Sequence, residues 1–243
     1  MVAGPLLVSL VVAAAGATTA IVVSAAVIGV AGSCFAVTHA VRTHLPPPSS
    51  WKTGRLRLAG GLLTLLFANF ALGFVAGARG VSLPAAAIAQ GAPLLAGIGF
   101  AIISIGDLVG GLAYGTIRWR ASRSRQLTVS LLLTAVVSWL AVPSSESVAV
   151  LFPILLVSGV LGACVPICMS ALLDDVTSPA SLTSAYTSMV SLSLVASAAG
   201  NASAGIVIEH GGPATGFAVA AGAATVAFLW TMLRRSLWGK TAD

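Results

Sequence analysis

The sequence predicts an all-α polytopic membrane protein, and three observations predict it. Of 243 residues, 58% are hydrophobic and 7% charged, with a mean hydropathy of +1.04, against roughly 45–50% apolar and about 25% charged in soluble domains. The apolar residues form long continuous runs, not the alternating ten-residue segments of membrane strands. The twelve Lys and Arg residues sit in short clusters between those runs. Water-facing surface needs polar cover that so few charged residues cannot supply, so the solvent of this chain is lipid.

A helix needs about 20 apolar residues to cross a hydrocarbon core about 30 Å thick. Cutting the chain at charges, prolines and polar clusters leaves about eight segments, near 4–16, 19–41, 58–78, 92–117, 126–142, 149–172, 184–207 and 213–233. The first is short: 13 residues span only ~20 Å as a helix. The stretch from His44 to Arg57, with Pro46, Pro47 and Pro48, is the one polar segment long enough to divide two helical groups. It reads as a cytoplasmic linker, 44–57, between a two-helix unit, 1–43, and a six-helix bundle, 58–243.

Sidedness follows from the basic loops, because short loops rich in Lys and Arg stay on the cytoplasmic face. One side collects Arg42, Lys52, Arg55, Arg57, Arg118, Arg120, Arg123, Arg125, Arg234, Arg235 and Lys240, and the other only Arg79. The expected location is the cell membrane, multi-pass, with the C-terminus in the cytoplasm. A net charge of +6 with pI near 10.1 points to anionic lipid and not nucleic acid, since the cations form no single stripe. Met1 leads directly into apolar residues, without the basic stretch of a cleavable signal peptide. Cys34, Cys164 and Cys168 all lie inside apolar runs and form no disulfide framework.

Four stretches carry a family likeness. Ala71–Gly77 runs on to Val81, Ser82, Leu83 and Pro84. Gly106, Asp107, Gly110, Gly111, Tyr114 and Gly115 precede Arg118 and Arg120. Ala199–Gly205 leads to Gly211, Gly212, Pro213 and Phe217, and Gly4-Pro5 opens the chain. In this order the chain from residue 58 onward resembles the six-helix C-terminal half of a major facilitator superfamily permease, most like bacterial drug or sugar efflux members. The first three stretches are similar to that family's seventh helix, eighth helix with its loop motif, and eleventh helix with its outer turn. Gly4-Pro5 is similar to the middle of the fifth. The family's loop carries an Asp-Arg pair where Gly115 and Thr116 stand here, so a gating salt bridge at that loop is not expected. The resemblance implies an MFS-like bundle with two helices from the N-terminal half and six from the C-terminal half. It also implies a chain that begins within the fifth helix, as a fragment or from a misassigned start, and this accounts for the short first segment.

Asp107 is the sharpest single candidate for function. It lies about ten residues, ~15 Å, from the end of its segment, where a carboxylate must be protonated or hydrated. A carboxyl group there can bind and release a proton as access alternates, but a neutral, hydrogen-bonded Asp is at least as common in such a place. Arg79 is expected at the outer interface, more often a snorkelling anchor than a contact for an anionic substrate. Asn69, Gln90 and Asn201 offer uncharged hydrogen bonds to a substrate, though Asn in a membrane bundle more often ties helices together. Gly111, Gly115, Arg118 and Arg120 make up the loop motif.

The small residues Ser188, Ser191, Ser193, Ser197, Gly200, Ala204 and Gly205 predict close helix packing, and Pro153 and Pro166 predict kinks. Cys164 and Cys168 stand one turn apart without the further ligands a closed zinc site wants, so they read as packing and no metal is expected. The resemblance implies a permease and not an enzyme: it needs no cofactor and moves a small solute, by proton-coupled efflux. Because the substrate site of that family lies between two halves, the missing N-terminal helices or a second copy would have to complete it. Two other classes fit the same composition, a non-transporting membrane fragment or accessory subunit, and the membrane subunit of an ATP-driven transporter. The second of these would want a larger cytoplasmic coupling element than the Pro-rich linker provides.

Overall fold

The structure, a computed structural model, describes residues 60–117, 119, 121–177 and 181–234, with 16, 18–19, 22–31 and 33–34 before them. Six helices follow one another: α1 (Gly60–Ala89), α2 (Leu94–Thr116), α3 (Arg123–Ser144), α4 (Val148–Val176), α5 (Leu182–Gly211) and α6 (Pro213–Leu233). The described residues contain no strand. All six helices are long and apolar enough to cross a membrane, which fits a multi-pass integral membrane protein. They are the six segments expected from residue 58 onward. Of the other two, the described residues of the segment near 19–41 include a short apolar helix, Val22–Ala31. The segment near 4–16, the linker 44–57 and Gly4-Pro5 lie outside the described residues.

The largest boundary error falls in α1, expected to stop near residue 78 at Arg79 and Pro84. The helix continues through both to Ala89. Proline costs a helix one backbone bond, which neighbours in a bundle restore, and Arg79 does not end the span because its side chain turns inward. α4 likewise runs unbroken through Pro153 and Pro166, and α5 reaches Gly211, beyond the expected 207.

The α1–α2, α3–α4 and α5–α6 joints are tight, so the helices they connect run antiparallel. α5 passes to α6 through Gly212 alone, at φ 74°, a backbone conformation that favours glycine. Pro213 then opens α6, where its missing N–H costs nothing. Gly91, at φ 68°, makes the corresponding turn between α1 and α2.

α1 is the central helix, with more than half of its apolar stretch buried, the largest share of the six. It packs chiefly on α5 and α6, α2 packs on α4, and α3 lies between α4 and α6. Most of these interfaces map onto one another when α1 is exchanged with α4, α2 with α5 and α3 with α6. Thus α1·α5 corresponds to α2·α4, α1·α6 to α3·α4, and α1·α2 to α4·α5, while α3·α6 and α1·α4 map onto themselves. Only α5·α6 lacks a substantial counterpart. Three helices per unit makes the second unit inverted relative to the first.

The core has three layers. Leu62, Leu65, Leu127, Leu131, Met169 and Leu173 fill one end, and Leu83, Ile103, Leu151, Leu155 and Phe217 the other. Between them lies a layer of Val75, Ala78, Ala135, Ala204, Ala220 and Ala224. The outside is apolar as well: Leu108, Leu112, Val190, Leu194 and Ile206 are exposed, as expected of a surface solvated by lipid.

The close interfaces are glycine-built. An added Cβ at Gly106 or Gly110 of α2 would come within 2.3 Å of α4 backbone oxygens, and one at Gly159 of α4 within 2.2 Å of the Ile103 carbonyl. Between α1 and α5, the Gly73 and Gly77 positions meet the backbone of Ser193 and Ser197, and Gly200 meets the Phe74 carbonyl. The small-residue surface expected on α5 therefore packs at Ser193, Ser197, Gly200 and Ala204, whereas Gly205 has open space beside it and Ser191 is exposed. The spacing of four between Gly73 and Gly77, and between Gly106 and Gly110, is a packing signal the sequence reading passed over.

Candidate functional site

Arg79 and Asp107 are the charged residues that the bundle draws inward. Arg79 lies ten residues before the end of α1, ~15 Å along the axis. The expectation of a snorkelling anchor rested on a helix that ended at the arginine, and the helix continues to Ala89. Arg79 Nη1 donates to Ser158 Oγ on α4. The residue keeps some accessible surface, and a small cavity adjoins it. The cavity, about 10 Å³, lies between α1, α3, α4 and α6 and is lined by Arg79, Ser138, Ser158, Ile154, Leu155 and Phe217 among others.

Asp107 sits nine residues before the end of α2. It is half-buried and rests on the α2–α4 glycine seam, with Oδ1 2.8 Å from where a Cβ on Gly162 would be. Gly162 therefore leaves room for the carboxylate. Arg79 on α1 and Asp107 on α2 carry opposite charges on neighbouring helices and form no ion pair. Among the described residues the one close ion pair is Arg123–Asp175 at 2.8 Å, about half exposed on both sides and so worth little.

A second, larger cavity of about 540 Å³ opens between α1, α4 and α5, with Asn69, Pro166, Met169, Tyr186, Met189 and Ser193 on its walls. Asn69 belongs to it, but its Nδ2 donates to the Met189 carbonyl at 2.7 Å, so the side chain also ties α1 to α5. Replacing Asn69 with alanine is expected to cost about 0.6–2 kcal/mol, seen as a lower unfolding midpoint in detergent. An unchanged midpoint would show that the bond holds nothing. Tyr186 donates to Asp174 Oδ1 at 3.1 Å at the edge of this cavity.

The remaining candidates stay apart from these groups. Gln90 lies in the α1–α2 turn and donates to the Ser145 carbonyl at 3.2 Å, pinning that turn to the end of α3. Asn201 is exposed on α5, its Oδ1 near Gly80. Gly111 meets only the Ala163 Cβ, at 4.0 Å, and Gly115 has open space around it, while Arg118 and Arg120 lie outside the described residues. Cys168 is buried in the core, its Sγ 3.1 Å from the Tyr114 hydroxyl, and Tyr114 also donates to Gln126 Oε1 at 2.5 Å.

Sequence reasoning missed Ser158, Gly159 and Gly162. The signal available was a small, polar interruption in the otherwise bulky apolar run of α4, but nothing in one dimension aligns Ser158 with Arg79. No family model, no curated protein and no solved structure matches this chain.

Proposed function

We propose that this chain is the membrane bundle of a secondary transporter, built like half of a major facilitator permease and moving a small solute with proton coupling. The observation that carries the reading is the near-symmetric exchange of helix interfaces between α1–α3 and α4–α6. Inverted three-helix repeats of this kind build each half of such transporters and allow alternating access by rocking. The inward-drawn charges Arg79 and Asp107 support it too, since ionisable groups held at membrane depth are costly and mark ion or substrate pathways. In this reading the end of the bundle that bears Arg123, Asp175 and Arg234 faces the cytoplasm, and the bundle rocks against a second one, a further copy or additional helices. Asp107 takes up and releases the coupling proton, and neither catalysis nor a cofactor is involved.

The test is solute uptake into vesicles holding the full-length protein, driven by an imposed pH gradient. Uptake should collapse on adding a protonophore and fall to background in Asp107→Asn. Gradient-driven uptake that survives in that variant removes Asp107 from coupling. A bundle that moves no solute from a broad panel under any gradient is instead a non-transporting subunit.

A further inference from the structure

The seam between α4 and α5 is a loose one. α1 packs closely on α5, whereas α4 and α5 barely touch. The cavity of about 540 Å³ lies in that gap, with Pro166, Met169 and Ser170 of α4 on one wall and Tyr186, Met189 and Val190 of α5 on another. The Tyr186 hydroxyl reaches across, donating to Asp174 Oδ1 at 3.1 Å, with the Ser170 carbonyl further off at 3.5 Å. The next residue, Asp175, pairs instead with Arg123 of α3 at 2.8 Å, and Arg123 also donates to the Ala171 carbonyl at 3.1 Å. Successive residues point about 100° apart around a helix, so adjacent carboxylates fasten the end of α4 to both of its neighbours.

The two fastenings differ in strength. Arg123 holds α4 through an ion pair and a backbone bond together. Tyr186 holds it through one hydrogen bond between exposed side chains, a bond that shifts an equilibrium by only about three- to tenfold. α4 also has a place to bend. Pro166 has no N–H to offer the Gly162 carbonyl one turn earlier, and bending of a helix concentrates at such a point. It stands on the cavity wall, eight residues before Asp174, or ~12 Å along the axis.

We propose that Tyr186 and Asp174 form a latch on this seam. While their bond is made the cavity is narrow; when it breaks, the end of α4 beyond Pro166 swings away from α5 toward α3, and the cavity widens. Arg123 and Asp175 keep the moving end attached to α3 in both positions. The latch is read from the bundle alone and does not rest on the transporter reading above.

Nitroxides on Ser170→Cys and Val190→Cys, one on each wall, report the width of the seam through their dipolar coupling. The measurement uses the full chain with Cys34→Ala, Cys164→Ala and Cys168→Ala. Strongly coupled spins should dominate while the latch residues are intact. Tyr186→Phe and Asp174→Ala should each raise the weakly coupled fraction by about three- to tenfold, and the two together no further than either alone. Asp174→Asn, whose amide oxygen still accepts from the tyrosine, should leave the coupling as it was, a result that general loosening of the fold does not give. Adding Pro166→Ala to Tyr186→Phe should lower the weakly coupled fraction again, because the hinge regains its backbone bond. Unchanged coupling in Tyr186→Phe and Asp174→Ala, or opening in Asp174→Asn as large as in Asp174→Ala, overturns the latch. Opening undiminished by Pro166→Ala overturns the hinge.

Discussion

Gly159→Ala will loosen the α2–α4 pair, lowering stability in detergent by about 1–3 kcal/mol or more. The added methyl would lie 2.2 Å from the Ile103 carbonyl, 3.0 Å from the Asp107 amide nitrogen and 3.0 Å from Gly106 Cα. These are backbone atoms, so no side chain can swing aside and the two helices must separate. Separation forfeits the close contacts that hold membrane helices together in the absence of a hydrophobic driving force between them. It also shifts Asp107, whose own amide is one of the crowded atoms. Gly77→Ala should behave alike, since its methyl would meet the Ser197 carbonyl of α5 at 2.0 Å. Gly222→Ala is the control: nothing lies within 4 Å of it on α6, and alanine is the better helix former by up to about 1 kcal/mol. Thermal unfolding midpoints of the three variants should therefore fall, fall, and hold or rise. A native midpoint in both Gly159→Ala and Gly77→Ala would mean that the helices do not approach as closely as described.

The second large effect is a non-additive pair. Arg79→Leu alone leaves Asp107 without its balancing charge, and Asp107→Asn alone leaves a lone guanidinium. The double variant Arg79→Leu/Asp107→Asn leaves neither. Charges several ångströms apart in a partly solvated interior interact by about 1–2 kcal/mol, so the double variant should be more stable than the sum of the single losses by that amount. The groups do not touch, which is why the expected coupling is smaller than the cost of breaking a buried contact pair. Unfolding free energies of the four proteins give the coupling directly. Strict additivity would show that the two residues do not sense one another, and would separate the proton site from the arginine.

The sequence was informative where the physics is local. Among the described residues, six of the eight expected segments are helices long enough to cross a membrane, because a run of apolar residues too long for a soluble core has few ways to satisfy its backbone in lipid. The turn at Gly211, Gly212 and Pro213 was legible for the same reason, as glycine and proline there serve a conformation that neighbouring residues alone dictate. The end of α1 was not. A charge and a proline five residues apart look like a terminus, unless a serine on a helix far along the chain receives the arginine.

The candidate site shows the same division. Asp107 stood out from its depth in an apolar run, and Asn69 as a residue that ties helices, both readable from position along a single helix. That Arg79 turns inward, that Ser158 meets it, and that Gly162 makes room for the Asp107 carboxylate are contacts between helices.

By itself the sequence determined that the chain is helical, apolar and of a length to cross a membrane repeatedly, because each of those properties belongs to a segment taken alone. Which helices touch, how closely, and which two charges share the interior were decided only by the tertiary structure. The reason is geometric: small residues permit close approach to any neighbour, and the neighbour is chosen by the packing of all six helices at once.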